Sequence, residues 1–310
     1  MKSYRAGFFC TSVKYSPFRN SQLIVTGFEE RHKRGRIHIH YSTQKPIATF
    51  ATTDPIYDCT WSLSNPDLIV IAAGAGATHL IDIALPHNFN PLGSFYGHSG
   101  ITTSVDWNPF DGSFLSAGQD GSVKHWVVDR HSTIQTYSHP LSVSCVTWNP
   151  RSPTSHATTC NDGNLRVWDI RDRKAEIIIK ADDLPILSCD WNSHGETCIA
   201  TSTVCMTYIQ VWDIRQTCSP VKVLDGEDKD EIFRVKFSTH REYQIASCSF
   251  NGKVVLWDYG PENAVPIIKK YEHHTGKVRG LDMSKRVEGL LVSTGEDGLV
   301  HEWRHALPES

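Results

Sequence analysis

Three times in this sequence a histidine is followed, at nearly constant spacing, by a hydroxyl residue, an aspartate and a tryptophan. The sets are His98, Ser116, Asp120 and Trp126; His139, Thr158, Asp162 and Trp168; and His274, Ser293, Asp297 and Trp303. Imidazoles placed with carboxylates invite a catalytic or metal-binding reading. Recurrence at a fixed interval argues instead for a device that repeats with the fold. His38 and His40 alternate on one strand face but lack a recognisable third ligand, so no metal is expected. The nine cysteines are odd in number and contain no Cys-x-x-Cys pair; they read as small buried hydrophobes in a reducing compartment. No Gly-rich phosphate loop, Gly-x-Ser-x-Gly elbow or His-Glu-x-x-His occurs. The expectation is a binding platform, not an enzyme, with no catalytic residues and no cofactor.

The elements that must position these residues follow from two evenly spaced series. Trp61, Trp107, Trp148 and Trp191 continue as Phe237 and Met283 and are preceded by Tyr15. Trp126, Trp168, Trp212, Trp257 and Trp303 form the second series, with His40 and Ile81 upstream. Between them apolar and polar residues alternate as in half-buried strands, for example over 104–109, 113–118 and 122–127. Four short antiparallel strands per unit, seven units in all, predict an all-β, seven-bladed β-propeller spanning 1–310 as one domain. Its repeats run approximately 8–41, 51–83, 97–128, 139–170, 182–214, 227–259 and 273–304. The last unit lacks an outer strand, and residues 2–7 are the natural donor that closes the ring and removes the open edge.

Composition agrees. With 39% hydrophobic residues and nine tryptophans the chain can bury a large core, and a net charge of −3 offers no basic field for nucleic acid. No apolar run is long enough to insert in a membrane, and the start lacks the pattern of a signal peptide, so a soluble, cytoplasmic protein is expected. The basic run Arg31–Arg36 reads as a solvated loop.

Trp-Asp at 168–169, 212–213 and 257–258 and Gly-His at 97–98 resemble the WD-repeat family. In that family a buried Asp–His–Ser/Thr–Trp tetrad holds each blade, and each polar member finds a partner. The resemblance makes the three sets above structural tetrads, complete by spacing. Blade 5 departs, with Asp182 and Met206 where His and Asp belong, and blade 6 with Asp228 and Asn251; these blades are expected to be less rigid. More specific words lie between the repeats, among them Tyr271–Thr275, Gly280–Ser284, Val287–Gly295, Ile186–Asn192, Arg234–Ser238 and Ser12–Phe18. They resemble the peroxin-7 family, the WD-repeat receptors for the type-2 peroxisomal targeting signal, with plant-type members closest. That resemblance implies a cytoplasmic receptor cycling to the peroxisome. It would bind cargo proteins bearing an N-terminal helix of the form Arg-Leu, five residues, His-Leu, and work with a co-receptor peroxin and the peroxisomal docking machinery.

In a propeller, residues six and four before the inner-strand aromatic face one rim. Counting back from Trp61, Trp107, Trp191 and Phe237 places Tyr57, Ile101, Leu187 and Phe233 there, able to receive the leucines of an amphipathic helix. Asp182, Asp183, Glu227, Asp228, Asp230, Glu231 and Glu296 form an acidic run on the same face that would attract the signal's arginine. A second reading is a substrate adaptor of a cullin ubiquitin ligase. Its cue is Trp168-Asp169-Ile170-Arg171 and Trp212-Asp213-Ile214-Arg215, which resemble the Trp-Asp-x-Arg box of such adaptors.

Overall fold

Alternating apolar and polar residues, interrupted every few positions by Gly, Asp or Pro, suit strands and exclude long helices. The computed structural model describes residues 1–42, 45–85, 91–226, 230–261 and 266–305. Among these, 28 strands and no helix occur, arranged as seven antiparallel four-stranded sheets. The chain is a seven-bladed propeller. Its inner strands, from blade 1 to blade 7, are Phe9–Tyr15, Ile56–Trp61, Thr102–Trp107, Val143–Trp148, Ile186–Trp191, Ile232–Phe237 and Val278–Met283.

Six sheets use strands consecutive in sequence, and the seventh borrows one. Lys2–Arg5 pairs antiparallel with Leu299–Arg304, Lys2 opposite Glu302 and Arg5 opposite Leu299. Ala6 N–H then donates to the Gly298 carbonyl at 2.8 Å, and Gly7, at φ 81°, turns the chain into the inner strand of blade 1.

The blades pack face to face through their apolar residues. Trp107, Phe114 and Trp126 of blade 3, for example, cluster with Val70, Ala72 and Leu80 of blade 2. Each such large side chain contributes roughly 1.5–3 kcal/mol on burial. Polar staples then fix the seams. The Tyr15 N–H donates to Asp282 across seam 7/1 at 2.8 Å, that of Trp148 to Asp106 across 3/4 at 2.7 Å, and that of Phe237 to Asp190 across 5/6 at 2.8 Å. At two seams without an aspartate in that place an indole does the work: Trp61 donates to the Lys14 carbonyl at 3.1 Å and Trp191 to that of Thr147 at 3.3 Å.

Two of the three tetrads close completely. In blade 3 His98 bonds Asp120 at 3.0 Å and Ser116 at 2.8 Å, and Trp126 Nε1 donates to Ser116 at 2.8 Å. Blade 7 repeats this with His274 to Asp297 at 3.0 Å, His274 to Ser293 at 2.9 Å and Trp303 to Ser293 at 3.0 Å. Blade 4 corrects the expectation. His139 bonds Thr158 at 2.8 Å and Trp168 donates to Thr158 at 2.9 Å, but Asp162 does not reach His139. Arg166, four residues on, takes both of its oxygens, at 3.1 and 2.5 Å, and His139 Nδ1 has no hydrogen bond among the described residues. Blades 5 and 6 keep the inner half of the device: Trp212 donates to Thr201 at 3.1 Å and Trp257 to Ser247 at 2.8 Å. In place of the missing histidine of blade 5, Asp182 accepts from the Tyr208 hydroxyl at 3.0 Å. Asp228 lies outside the described residues.

Candidate functional site

All seven inner strands carry a register shift at the same place, between Cys10 and Ser12, Ile56 and Asp58, Thr102 and Ser104, Val143 and Cys145, Ile186 and Ser188, Ile232 and Arg234, and Val278 and Gly280. A bulge leaves one residue unpaired and re-aims its side chain. The residues so released, one per blade, are Thr11, Tyr57, Thr103, Ser144, Leu187, Phe233 and Arg279, and all seven line a central cavity of about 490 Å³.

Chemistry divides this ring. The small hydroxyls turn sideways: Thr11 donates to the Ile56 carbonyl at 2.8 Å, Thr103 to that of Val143 at 2.6 Å, and Ser144 to that of Ile186, each a bond to the next blade. Tyr57, Leu187, Phe233 and Arg279 are too large or too apolar for that role and stay half-exposed at the channel mouth. Around them runs an arc of rings. Phe9 stacks on Phe28 at 4.9 Å, Phe28 meets Tyr57 at 6.0 Å, and Phe233 meets Phe250 edge to face at 5.4 Å. Arg279 joins the two ends, its guanidinium 4.9 Å from the Phe233 ring, 5.7 Å from Phe250 and 5.9 Å from Phe9.

The residues counted from the sequence are therefore only partly united. Tyr57, Ile101, Leu187 and Phe233 all line the cavity, whereas Asp182, Asp183, Asp230, Glu231 and Glu296 lie outside its lining. Several of these acids already hold a donor. Lys180 approaches Asp183 at 3.3 Å, Lys253 approaches Asp230 at 2.8 Å, Asn251 also donates to Asp230, and Arg279 grips Glu296 at 2.7 Å. Glu227 and Asp228 lie outside the described residues.

Arg279, Phe9, Phe28 and Phe250 were not foreseen. The same count from Tyr15 reaches Phe9 and Thr11, and from Met283 it reaches Lys277 and Arg279, so the signal was present in blades 1 and 7. A second unforeseen feature crosses the channel floor. Arg234 of blade 6 reaches Asp58 of blade 2 at 3.5 Å, and Ser12 and Ser104 donate to the same carboxylate at 2.7 and 3.0 Å. Burial opposes the charge on Asp58, but Arg234, Lys14 and the Ser12 hydroxyl hold its carboxyl below the usual value. The mouth is thus an apolar, cation-edged chamber over a charged floor. Such a chamber is suited to binding side chains. Among the described residues no group of His, Cys, Asp and Glu could hold a metal ion, and no helix is long and apolar enough to cross a membrane.

The two Trp-Asp-x-Arg boxes lie apart from this chamber, and each arginine is bound within its own box. Arg171 Nη2 is 2.5 Å from Asp169 and Arg215 Nη2 2.5 Å from Asp213.

Comparison with known proteins gives concordant matches. The WD domain, G-beta repeat family matches residues 89–127, 131–169 and 218–258. "Peroxisome biogenesis protein 7" of Arabidopsis thaliana is 39% identical over 99% of this chain and 98% of its own length. "Peroxisomal targeting signal 2 receptor" of Dictyostelium discoideum is 33% identical over 93% of each. The protein of the same name in Schizosaccharomyces pombe is 24% identical over 96% of this chain and 97% of its own.

Proposed function

The chain belongs to the peroxisomal targeting signal 2 receptor family of WD-repeat propellers, and from that premise we propose that it receives the type-2 signal of peroxisomal matrix proteins at the bulge-lined channel mouth. The observation that carries this reading is the ring of re-aimed residues, which gathers Tyr57, Leu187 and Phe233 with Ile101 around one chamber. An amphipathic helix presents its apolar residues on one face, and helix-in-groove recognition needs an apolar concavity of this kind. The acids outside its lining, Asp182, Asp183, Asp230, Glu231 and Glu296, would in this reading steer the signal's arginine during encounter. A co-receptor peroxin and the docking machinery complete delivery, and the receptor cycles between cytoplasm and peroxisome. It acts by binding and release, without catalysis.

The adaptor reading is not favoured, since relatives matching 96% and 93% of the chain are named as targeting-signal receptors. Co-precipitation of the protein with a fusion bearing an N-terminal type-2 signal, against the same fusion with its arginine removed, tests the proposal. Capture of the first and loss of the second is expected. Equal capture of both, or of neither, sinks it.

A further inference from the structure

One cysteine pair is placed unlike the others. Cys145 follows the bulge of blade 4, the position that blades 2 and 6 fill with Asp58 and Arg234, and it is half-buried in the cavity wall. Cys189 lies two residues past the bulge of blade 5 and is buried behind it at 4% exposure. The Cys145 sulfur is 3.7 Å from the Cys189 carbonyl oxygen, across the seam between the two blades. Interaction with the Cys189 side chain leads the influences that draw the Cys145 thiol below its usual value, burial opposing it and Arg234 assisting. The same interaction, with burial, pushes the Cys189 thiol up. Burial first pushes the thiols of Cys59 and Cys248 up to about 12. A channel-facing thiolate backed by a protonated thiol is the arrangement of a reactive dithiol.

We propose that Cys145 and Cys189 form a modification site, a dithiol that a hydroperoxide entering the central channel oxidises to a disulfide joining blades 4 and 5. The Cys145 thiolate attacks one peroxide oxygen, the O–O bond breaks, and the departing oxygen takes a proton to leave as water or an alcohol. Cys189 then attacks the resulting sulfenic sulfur, the S–S bond forms, and the expelled hydroxide leaves as water with the Cys189 proton. Two thiols are oxidised by two electrons and one peroxide is reduced. Leu187 stands two residues before Cys189 on the same strand, so closure of the bridge acts directly beneath the chamber mouth.

The test uses the full chain at neutral pH, treated with hydrogen peroxide, blocked with a maleimide under denaturing conditions and mapped by mass spectrometry. A Cys145–Cys189 bridge is expected, formed before Cys248, whose buried thiol is held protonated, begins to oxidise. In Cys189→Ser, Cys145 stops at the sulfenic acid and is trapped by dimedone. Recovery of both residues as free thiols after Cys248 has begun to oxidise overturns the proposal, as does a bridge from Cys145 to any other cysteine. The wild-type mapping decides the matter even if the variant fails to fold. It is also independent of signal binding.

Discussion

The unlike tetrads of blades 3 and 4 can be told apart by a pair of double-mutant cycles. In blade 3, Asp120 accepts from His98, from the Ser99 N–H at 3.0 Å and from Ser122 Oγ at 2.8 Å, so Asp120→Ala removes the charged partner of a buried imidazole and leaves its Nδ1 only Ser122 Oγ, at 3.1 Å. A hydrogen bond to a charged group is worth about 1.5–3 kcal/mol, and the His98→Ala, Asp120→Ala cycle is expected to return a coupling of that size. In blade 4 the corresponding bond does not exist, because Arg166 occupies Asp162, so the His139→Ala, Asp162→Ala cycle is expected within ~0.5 kcal/mol of zero. Thermal unfolding entropy of about 2.1 cal/mol/K per residue makes 1 kcal/mol equal to roughly 1.5 °C in a chain of this length. Differential scanning calorimetry should therefore read a coupling of about 2–5 °C for the first pair and under ~1 °C for the second. Equal couplings in the two blades would refute the argument that Arg166 displaces His139.

Three further outcomes are expected. Deleting Lys2–Arg5 leaves Leu299–Arg304 as an unpaired edge, so the truncated chain should aggregate or lose its cooperative melt in a light-scattering and calorimetry assay, and an unchanged melt would exclude the closure as a stabilising element. Phe233→Ala removes a ring from the chamber and a face from beneath Arg279, and should weaken binding of a type-2 signal peptide at least ~10-fold by fluorescence anisotropy while leaving the fold intact; unchanged affinity would move the signal elsewhere. Burial brings the His301 imidazole down to about 4, against about 6.5 in the unfolded chain, so its contribution is fully present above pH 6.5 and drains away as pH falls towards 4. That amounts to about 2 kcal/mol by pH 5, and a melting temperature for His301→Leu that falls as steeply as wild type between pH 7 and 5 would contradict it.

The fold was legible because the blades repeat one sentence: an aromatic closing the inner strand in six of them, an apolar–polar alternation, and an indole on the third strand of blades 3 to 7. Half the mouth was legible by the same count. The bulge that turns Tyr57, Leu187 and Phe233 into the channel leaves no mark of its own in the sequence, and Arg279 reads as a solvated cation until the rings of Phe9, Phe233 and Phe250 are brought around it. Spacing alone also misjudged Asp162, because spacing measures reach and not competition, and Arg166 competes. The bond from Arg234 to Asp58 joins blades on opposite sides of the ring, so nothing short of closure brings its ends together. The acids were legible as residues but not as partners: Lys253 and Arg279 temper the field that the sequence suggested.

The borrowed strand of blade 7 also sets a schedule for synthesis. Lys2 is synthesised three hundred residues before its partner Glu302, so through all of that interval the Lys2–Arg5 strand has no ladder to join. A contact of such sequence separation forms slowly, after local hairpins have long settled. Until Leu299–Arg304 is made and the ring closes, the waiting strand is open to mispairing, and a chaperone that shields strand edges over that interval would raise the yield of folded protein.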